Sequence, residues 1–222
     1  MPQQINKKII LYISLVIILG TFNNKNLTNF ELPKINMVNI EGIELNDNEF
    51  LEIKNLIKLN NLLSIEKSQL KEILSANNLI EKYEVLKKYP SSIEIKIEKT
   101  NFLASTNING KNYLVGSNGK FIDKKEFSKD LPFIFGNFEI KKFLEFKKII
   151  NQTNLNYNDI KNFYSFPSGR WDIEMISGVM IKLPITGIKE SLNLSIDLLN
   201  NKEFDNIKIL DIRQKNQIII ND

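Results

Sequence analysis

Few residues in this sequence of 222 have the types and spacing that catalysis needs. A serine followed three positions later by a lysine is the S-x-x-K motif of one class of serine acyl enzyme. It occurs three times, as Ser64 with Lys67, Ser68 with Lys71, and Ser117 with Lys120. Lysine is so frequent in this chain that a few matches arise by chance, and the accompanying S-D-N and K-T-G motifs are missing. We therefore set a serine enzyme aside.

A pair of carboxylates, Asp172 and Glu174, is the other candidate for acid and base chemistry, because residues two apart share one face of a strand. Acidic residues are common on exposed hairpin strands, so the pair alone does not indicate a reaction. The sequence contains no cysteine and no histidine, which excludes disulfides, histidine bases, and thiolate or imidazole metal sites. We expect no enzymatic activity, no cofactor, no metal and no small-molecule substrate.

The charge pattern argues against nucleic acid as a partner. The formal net charge is +4, from 30 basic and 26 acidic residues, and only Arg170 and Arg213 are arginines. The lysines are spread along the whole chain, whereas a nucleic-acid reader needs a clustered basic face and bidentate arginines. The pairs Lys87-Lys88 and Lys124-Lys125 are interpreted as solvated faces.

The N-terminal region predicts a membrane anchor. Residues 9–22 carry no charge and span about 21 Å as a helix, which suits either a short anchor or a signal-peptide core. No small-residue cleavage pattern follows, so we predict an uncleaved anchor and leave a cleaved signal as the alternative. The lysines at 7 and 8 favour a cytoplasmic tail over residues 1–8. The anchor side chains are Ile9, Ile10, Leu11, Ile13, Leu15, Val16, Ile17, Ile18 and Leu19.

The next part of the chain predicts a strand, two helices and further strands. A first strand covers 35–40, and Asn46-x-x-Glu49 resembles a capping box before a helix that carries Phe50. Ser64 is predicted to cap the second helix. The predicted strands that follow cover 80–86 and 93–97, joined by a turn at 87–92, and then 113–115 and 121–122.

The remaining sequence predicts a second unit with an α+β pattern. Helical spacing covers 138–150 and 188–201, while Ser177-Gly178 marks a tight hairpin. The predicted strands cover 160–166, 169–176, 179–183, 207–213 and 217–220. We interpret Trp171, beside Arg170, as a core side chain.

The order of these segments resembles the FtsQ/DivIB family of bacterial cell-division proteins over nearly the full length. The resemblance is carried by an ordered set of short motifs: Val38-x-Ile40-x-Gly42, Asn61-Leu62-Leu63-Ser64-Ile65, Tyr89-Pro90-x-x-Ile93-x-Ile95-x-Ile97, Leu114-Val115, Leu131-Pro132-x-x-x-Gly136, Gly169-Arg170-Trp171-x-Ile173, Gly178-x-x-Ile181-x-Leu183-Pro184 and Leu210-Asp211-Ile212-Arg213. The chain departs from the family pattern at Lys99 and Phe102, where the family usually has Glu and Pro.

The resemblance implies an α+β protein with one N-terminal transmembrane helix, a POTRA domain at 35–105 and a mixed β-sheet domain with flanking helices at 106–222. It implies a single-pass inner-membrane protein with a cytoplasmic N-terminus, periplasmic bulk and a position at the division septum. The implied role is non-catalytic: binding FtsB and FtsL, and FtsK through the POTRA side, so that septal peptidoglycan synthesis is controlled.

The C-terminal segment is the predicted partner-binding site. Residues 217–221 end the chain with three isoleucines and no later strand to pair with their outer edge, which is the requirement for β-strand addition. In the family the last strand contacts FtsB, Arg213 matches an arginine beside that contact, and Asp211 is predicted to orient it. The segment consists of Gln217, Ile218, Ile219, Ile220 and Asn221. The alternative is that these isoleucines are core or a covered sheet edge.

Two other classes of function stay open at this stage. A POTRA-type module of an export or outer-membrane assembly machine would share the first unit, although such proteins continue into further repeats or barrel segments. A cleaved periplasmic ligand-binding protein would require processing near Gly20.

Overall fold

The computed structural model describes residues 7–21, 33–42, 47–58, 60–123, 131–201, 207–214 and 217–221. Within these ranges the helices are α1 Lys7–Thr21, α2 Asp47–Lys58, α3 Lys67–Ala76, α4 Ile140–Ile150 and α5 Ile188–Leu199. The strands are β1 Met37–Glu41, β2 Ile80–Lys88, β3 Ser92–Lys99, β4 Phe102–Ile108, β5 Lys111–Gly116, β6 Phe121–Asp123, β7 Phe133–Phe135, β8 Ile160–Ser165, β9 Trp171–Met175, β10 Met180–Lys182, β11 Ile209–Gln214 and β12 Gln217–Asn221.

Helix α1 contains all nine predicted anchor side chains, and those that are large and apolar are exposed, from Ile9 at 51% to Leu19 at 67%. It has 15 residues, which gives a length of about 22 Å. Among the described residues, no helix combines the length and apolar character needed to cross a bilayer. Residues 1–6 of the predicted tail and Phe22 lie outside the described residues.

The first unit is a three-stranded sheet in the order β1-β3-β2, packed with α2 and α3. Strand β1 is parallel to the central β3, and β2 is antiparallel to it. The isoleucines of β3 alternate with polar residues, and Ile93, Ile95 and Ile97 are each at most 5% exposed. They pack against Ile53 of α2 and Leu70 of α3 in one core. The predicted order of strand, two helices and two strands is therefore confirmed.

The predicted cap of the second helix is wrong. Helix α3 begins at Lys67 and its N-cap position is Glu66, not Ser64. The Asn61 side chain instead accepts hydrogen bonds from the backbone N–H groups of Leu63 and Ser64, each at 2.9 Å. This local turn occupies the N–H groups before the helix starts, a competition typical of asparagine.

Three further sequence-based assignments cannot be compared with the structure because they fall on residues that it does not describe. Asn46 of the predicted capping box lies outside the described residues, as do Lys124 and Lys125. The side chains of Glu49 and Phe50 are likewise not described.

The second unit is a nine-stranded sheet in the order β12-β11-β10-β9-β8-β7-β4-β5-β6. Helices α4 and α5 cover one face of this sheet. Trp171 is 4% exposed and stacks on Phe146 of α4 with a ring-centroid distance of 5.2 Å, which confirms that it is a core residue. Strands β8, β9 and β10 are antiparallel neighbours, whereas β10 and β11 are parallel because the chain crosses over through α5. Strand β4 already belongs to this sheet, so residues 102–105 pair with the second unit.

Polar side chains join the two units at the contact between residues 78–81 and 116–121, which we call the latch. The Asn118 side chain donates to the carbonyl oxygens of Asn78 and Ile80 at 2.8 and 3.0 Å. The Ser117 hydroxyl donates to the Glu81 carboxylate at 2.7 Å. These bonds join the start of β2 and the turn before it to the turn between β5 and β6, so the latch holds one end of the first unit against the second.

Candidate partner-binding edge

Strand β12 is a terminal strand of the large sheet. Its inner side pairs with β11 in antiparallel register, with Asp211 opposite Ile219 and Leu210 opposite Ile220. No strand among the described residues pairs with its outer side. Ile218 and Ile219 are 38% and 45% exposed, while Ile220 is half-buried against the small cluster formed by Ile207, Leu210 and Ile212. The edge therefore offers backbone groups and two exposed isoleucine side chains.

Asp211 and Arg213 form a tight ion pair next to this edge. The Arg213 guanidinium donates to both oxygens of the Asp211 carboxylate at 2.6 to 3.0 Å, and the Arg213 backbone N–H donates to the same group at 3.1 Å. The hydrogen bonds from Arg213 lower the pKa of Asp211, and the pairing raises the pKa of Arg213. The Arg213 side chain remains 42% exposed. Part of the guanidinium therefore faces solvent while its direction is fixed by Asp211.

A second arginine and aspartate pair lies on the same face of the sheet. The register places Asp172 of β9 opposite Lys182 of β10, which is in turn opposite Asp211 of β11. The Arg170 guanidinium lies 3.2 Å from the Asp172 carboxylate. The Nε of Arg170 is within ion-pair distance but is not aligned for a hydrogen bond, so the Nη2 atom makes the bond.

The buried member of this second pair is Asp172, which is 3% exposed. Burial raises its pKa, and this outweighs the opposing effects of Arg170, of the Leu183 N–H that donates at 3.2 Å, and of the charge on Arg213. The Arg170 guanidinium also lies over the Phe166 ring, 4.0 Å from its centroid. Sequence reasoning treated Arg170 only as a neighbour of the core tryptophan. The sequence feature that would have indicated this second pair is that each of the two arginines lies two residues from an aspartate.

Glu174 is the other carboxylate of the candidate catalytic pair. Both of its oxygens accept hydrogen bonds from neighbouring side chains. It accepts from Asn162 at 2.8 Å, Lys161 at 2.9 Å and Tyr164 at 2.7 Å. These hydrogen bonds, led by that of Asn162, lower its pKa to about 2. The pKa of Tyr164 is raised to about 12, first by burial and then by its bond to Glu174. The arrangement joins Glu174 of β9 to Lys161, Asn162 and Tyr164 of β8 and favours the ionised form of the Glu174 carboxylate.

Two clefts share Arg213 and Gln214 at the end of β11. One of about 260 Å³ is lined by Asp211, Arg213, Gln214, Gln217 and Ile219. The other, of about 530 Å³, lies between the start of α5 and β11, and Leu194, Ile212 and Arg213 contribute to it. Among the described residues, no group of three acidic side chains is placed to hold a metal ion. The structure thus brings together all seven residues that the sequence predicts for partner binding.

The fold is thus an α+β chain whose larger sheet ends in a terminal strand beside a fixed arginine. The family model for the C-terminal domain of cell division protein FtsQ/DivIB matches residues 104–213. The cell division protein FtsQ of Rickettsia bellii is 28% identical over 204 residues, covering 84% of this chain and 72% of the relative, and that of Rickettsia conorii is 26% identical with the same coverage. The chain belongs to the FtsQ/DivIB family of bacterial cell-division proteins.

A solved structure is also similar to this chain. It is the major extracytoplasmic domain of the trans isomer of the cell division protein DivIB from Geobacillus stearothermophilus, with a TM-score of 0.34 and 14% identity over 43% of this chain and 87% of that one. Membership of the family assigns the chain to bacterial cell division and septation, as a component of the divisome. The two alternatives, an export-machine module and a periplasmic ligand-binding protein, are therefore set aside.

Proposed function

We propose that this chain is a non-catalytic, membrane-anchored assembly protein of the divisome that binds FtsB/FtsL-type partners by β-strand addition to β12. Through these contacts it helps to control septal peptidoglycan synthesis. The first unit, which the structure ends at β3, acts as a POTRA domain and provides a second contact, of the FtsK type. The observation that carries the proposal is the free outer edge of β12 in the described sheet.

The physical basis is the backbone of a terminal strand. Each ladder hydrogen bond contributes about 0.5–1.5 kcal/mol net, so a partner strand along the five residues of β12 gains several kcal/mol before side chains are counted. Ile218 and Ile219 lie on opposite faces of the sheet, so they contact alternate side chains of the partner. Specificity then comes from the cleft that Gln217 and Ile219 line beside Arg213, and from the neighbouring cleft that shares Arg213.

Arg213 adds a charge requirement to this site. Its exposed guanidinium is held by Asp211 and therefore loses little side-chain freedom when it meets an acidic residue of the partner strand. We expect the partner to place a carboxylate near this position. Arg170 and Asp172 extend the same charged row away from the edge.

The proposed anchor is the apolar segment over residues 9–22, with Lys7 and Lys8 on the cytoplasmic side. Its support is the continuous apolar surface of α1, on which the residues from Ile9 to Leu19 are exposed. The anchor holds the two sheet units in the periplasm at the inner membrane. Retention of the chain in the membrane fraction after an alkaline wash is expected, and release by that wash would contradict the anchor.

Proline at Ile218 tests the edge-strand mechanism. Met180 of β10 donates to the Lys208 carbonyl, so alternation along β11 turns the backbone groups of Asp211, and of Ile219 opposite it, toward each other. The N–H group of Ile218 therefore faces the outer side, and proline removes it. We expect Ile218→Pro to abolish binding of an FtsB-type peptide in isothermal calorimetry, with the far-ultraviolet circular dichroism of the protein retained. The matched control, Ile218→Ala, keeps the N–H group and should weaken binding only several-fold. Equal losses for both variants, or full binding by the proline variant, would contradict a ladder-based interface.

A further inference from the structure

One end of the first unit collects exposed apolar and basic side chains. We call it the tether end, and it consists of residues 34–37, 60–64 and 88–92. Backbone hydrogen bonds hold these segments together, from Ile35 to Asn60 at 3.2 Å and from Asn36 to Ser91 at 3.0 Å. A bridge between Lys34 and Asn61 adds to them. The three segments therefore form one ordered surface.

Three large side chains of the tether end are strongly exposed. Met37, Leu63 and Tyr89 are 62%, 64% and 69% exposed, whereas Ile35 and Leu62 of the same segments are buried in the core. Each of the three exposed residues belongs to a different segment of the tether end. Exposed groups of this kind indicate a contact surface, and a tyrosine beside a leucine suits the boundary between headgroups and acyl chains.

The charge at this end is mainly positive. Lys34 and Lys58 are exposed, and Lys58 ends helix α2 just before the 60–64 segment. Lys88 is also exposed and forms an ion pair of 2.6 Å with Glu94, while Glu66 is an exposed carboxylate nearby. Lysines beside apolar side chains favour a surface that is both apolar and anionic.

The direction of β2 places the tether end opposite the latch. Strand β2 starts at Ile80, whose carbonyl is part of the latch, and ends at Lys88 in the tether end. Its nine residues span about 26 Å. The chain reaches the tether end from α1 through residues 22–32, which can extend to at most about 40 Å. The tether end is thus the part of the first unit that the N-terminal segment leads into, and the second unit lies at the far end.

We propose that the tether end docks on the surface of a bilayer that contains anionic phospholipid. Leu63 and Tyr89 enter the headgroup region, and Lys34 and Lys58 contact phosphate groups. This inference rests on the proposed N-terminal anchor, which keeps the surface within reach of the bilayer. Docking directs β2 away from the membrane, so that the latch holds the second unit, with its β12 edge, at a fixed height in the periplasm.

The experiment uses the full chain in vesicles with a single cysteine, since the natural sequence has none. An environment-sensitive fluorophore is attached at Leu63→Cys and, as the matched control, at Ile176→Cys, which is 66% exposed in the β9–β10 turn of the second unit. With vesicles of phosphatidylcholine and phosphatidylglycerol, we expect a blue shift and protection from aqueous iodide at position 63 but not at position 176. Equal quenching at both positions would overturn the proposal.

Charge variants distinguish docking through the tether end from non-specific shielding of the fluorophore by the vesicle. Each lysine near an anionic surface contributes about fivefold, so Lys34→Gln with Lys58→Gln should lower the ratio of docked to undocked protein about 25-fold. The matched variant, Lys141→Gln with Lys148→Gln on the exposed face of α4, should leave the ratio unchanged. Equal loss in both pairs overturns the proposed surface.

Failure of the proposed anchor and failure of docking are distinguished by two different measurements. If the chain leaves the vesicles in an alkaline wash, the anchor is refuted and docking with it. If the chain is retained and position 63 is still quenched by iodide, docking alone is refuted.

Discussion

The hydrogen-bonded carboxylate of Glu174 predicts a pH dependence of stability that can be worked out from the structure. Its pKa falls from 4.5 to about 2 because Asn162, Lys161 and Tyr164 donate to it. A group whose pKa is lower in the folded state stabilises the fold above its unfolded pKa, and this stabilisation is lost as the pH falls toward the folded value. The contribution of Glu174 is therefore complete above about pH 5 and disappears between pH 4.5 and about pH 2.

The size of this contribution follows from the same shift. The change from 4.5 to about 2 in the pKa of Glu174 corresponds to about 3 kcal/mol. The Glu174 side chain is 16% exposed and Lys161 is 57% exposed, so solvent screening reduces this to about 2 kcal/mol. We expect Glu174→Gln to lower the free energy of unfolding by about 2 kcal/mol at pH 7 and by almost nothing near pH 2.

Urea unfolding of the purified full chain measures this difference through Trp171, the only tryptophan, which leaves its stacked position in the core on unfolding. The control is Glu98→Gln, which removes a carboxylate from the exposed pair with Lys82 at 3.9 Å and should change stability by less than about 0.5 kcal/mol. A difference between wild type and Glu174→Gln that stays constant from pH 7 to pH 2.5 would refute the assigned hydrogen-bond network.

Two further predictions concern the backbone and the contact between the units. Gly136 and Gly110 both have positive φ, but a side chain at Gly136 would collide with the Ser165 carbonyl, whereas Gly110 faces open space. In thermal melts, Gly110→Ala should cost about 1 kcal/mol and Gly136→Ala at least 2 kcal/mol more, and similar costs would contradict this packing. Asn118→Ala should broaden the distribution of distances between spin labels on the two units, measured by electron paramagnetic resonance. The control, Asn107→Ala on an exposed hairpin, should leave the distribution unchanged. An unchanged distribution for Asn118→Ala would show that the latch does not hold the units together.

Much of the local structure follows from the sequence because it depends on near neighbours. The alternation from Ile93 to Ile97 is sufficient to predict a strand with one buried face, and the structure buries those side chains. The helix over 140–150 follows from its apolar spacing, with Phe143 and Phe146 buried. Ser64 was predicted incorrectly because its hydroxyl accepts from the Asn61 N–H while the Asn61 side chain accepts from the Ser64 N–H, so both belong to a turn before the helix, which spacing alone does not reveal.

The sequence by itself determined that no cysteine or histidine chemistry is available and that residues 217–220 have the composition of a short apolar strand. Only the tertiary structure decided that β12 lies at the edge of a nine-stranded sheet and that Asp172 and Asp211 lie in one row across it. The physical reason is that strand order and register depend on which long-range pairings bury the most apolar surface. Local preferences are the same whether a strand becomes central or terminal, so the position of β12 at the sheet edge is a property of the assembled sheet.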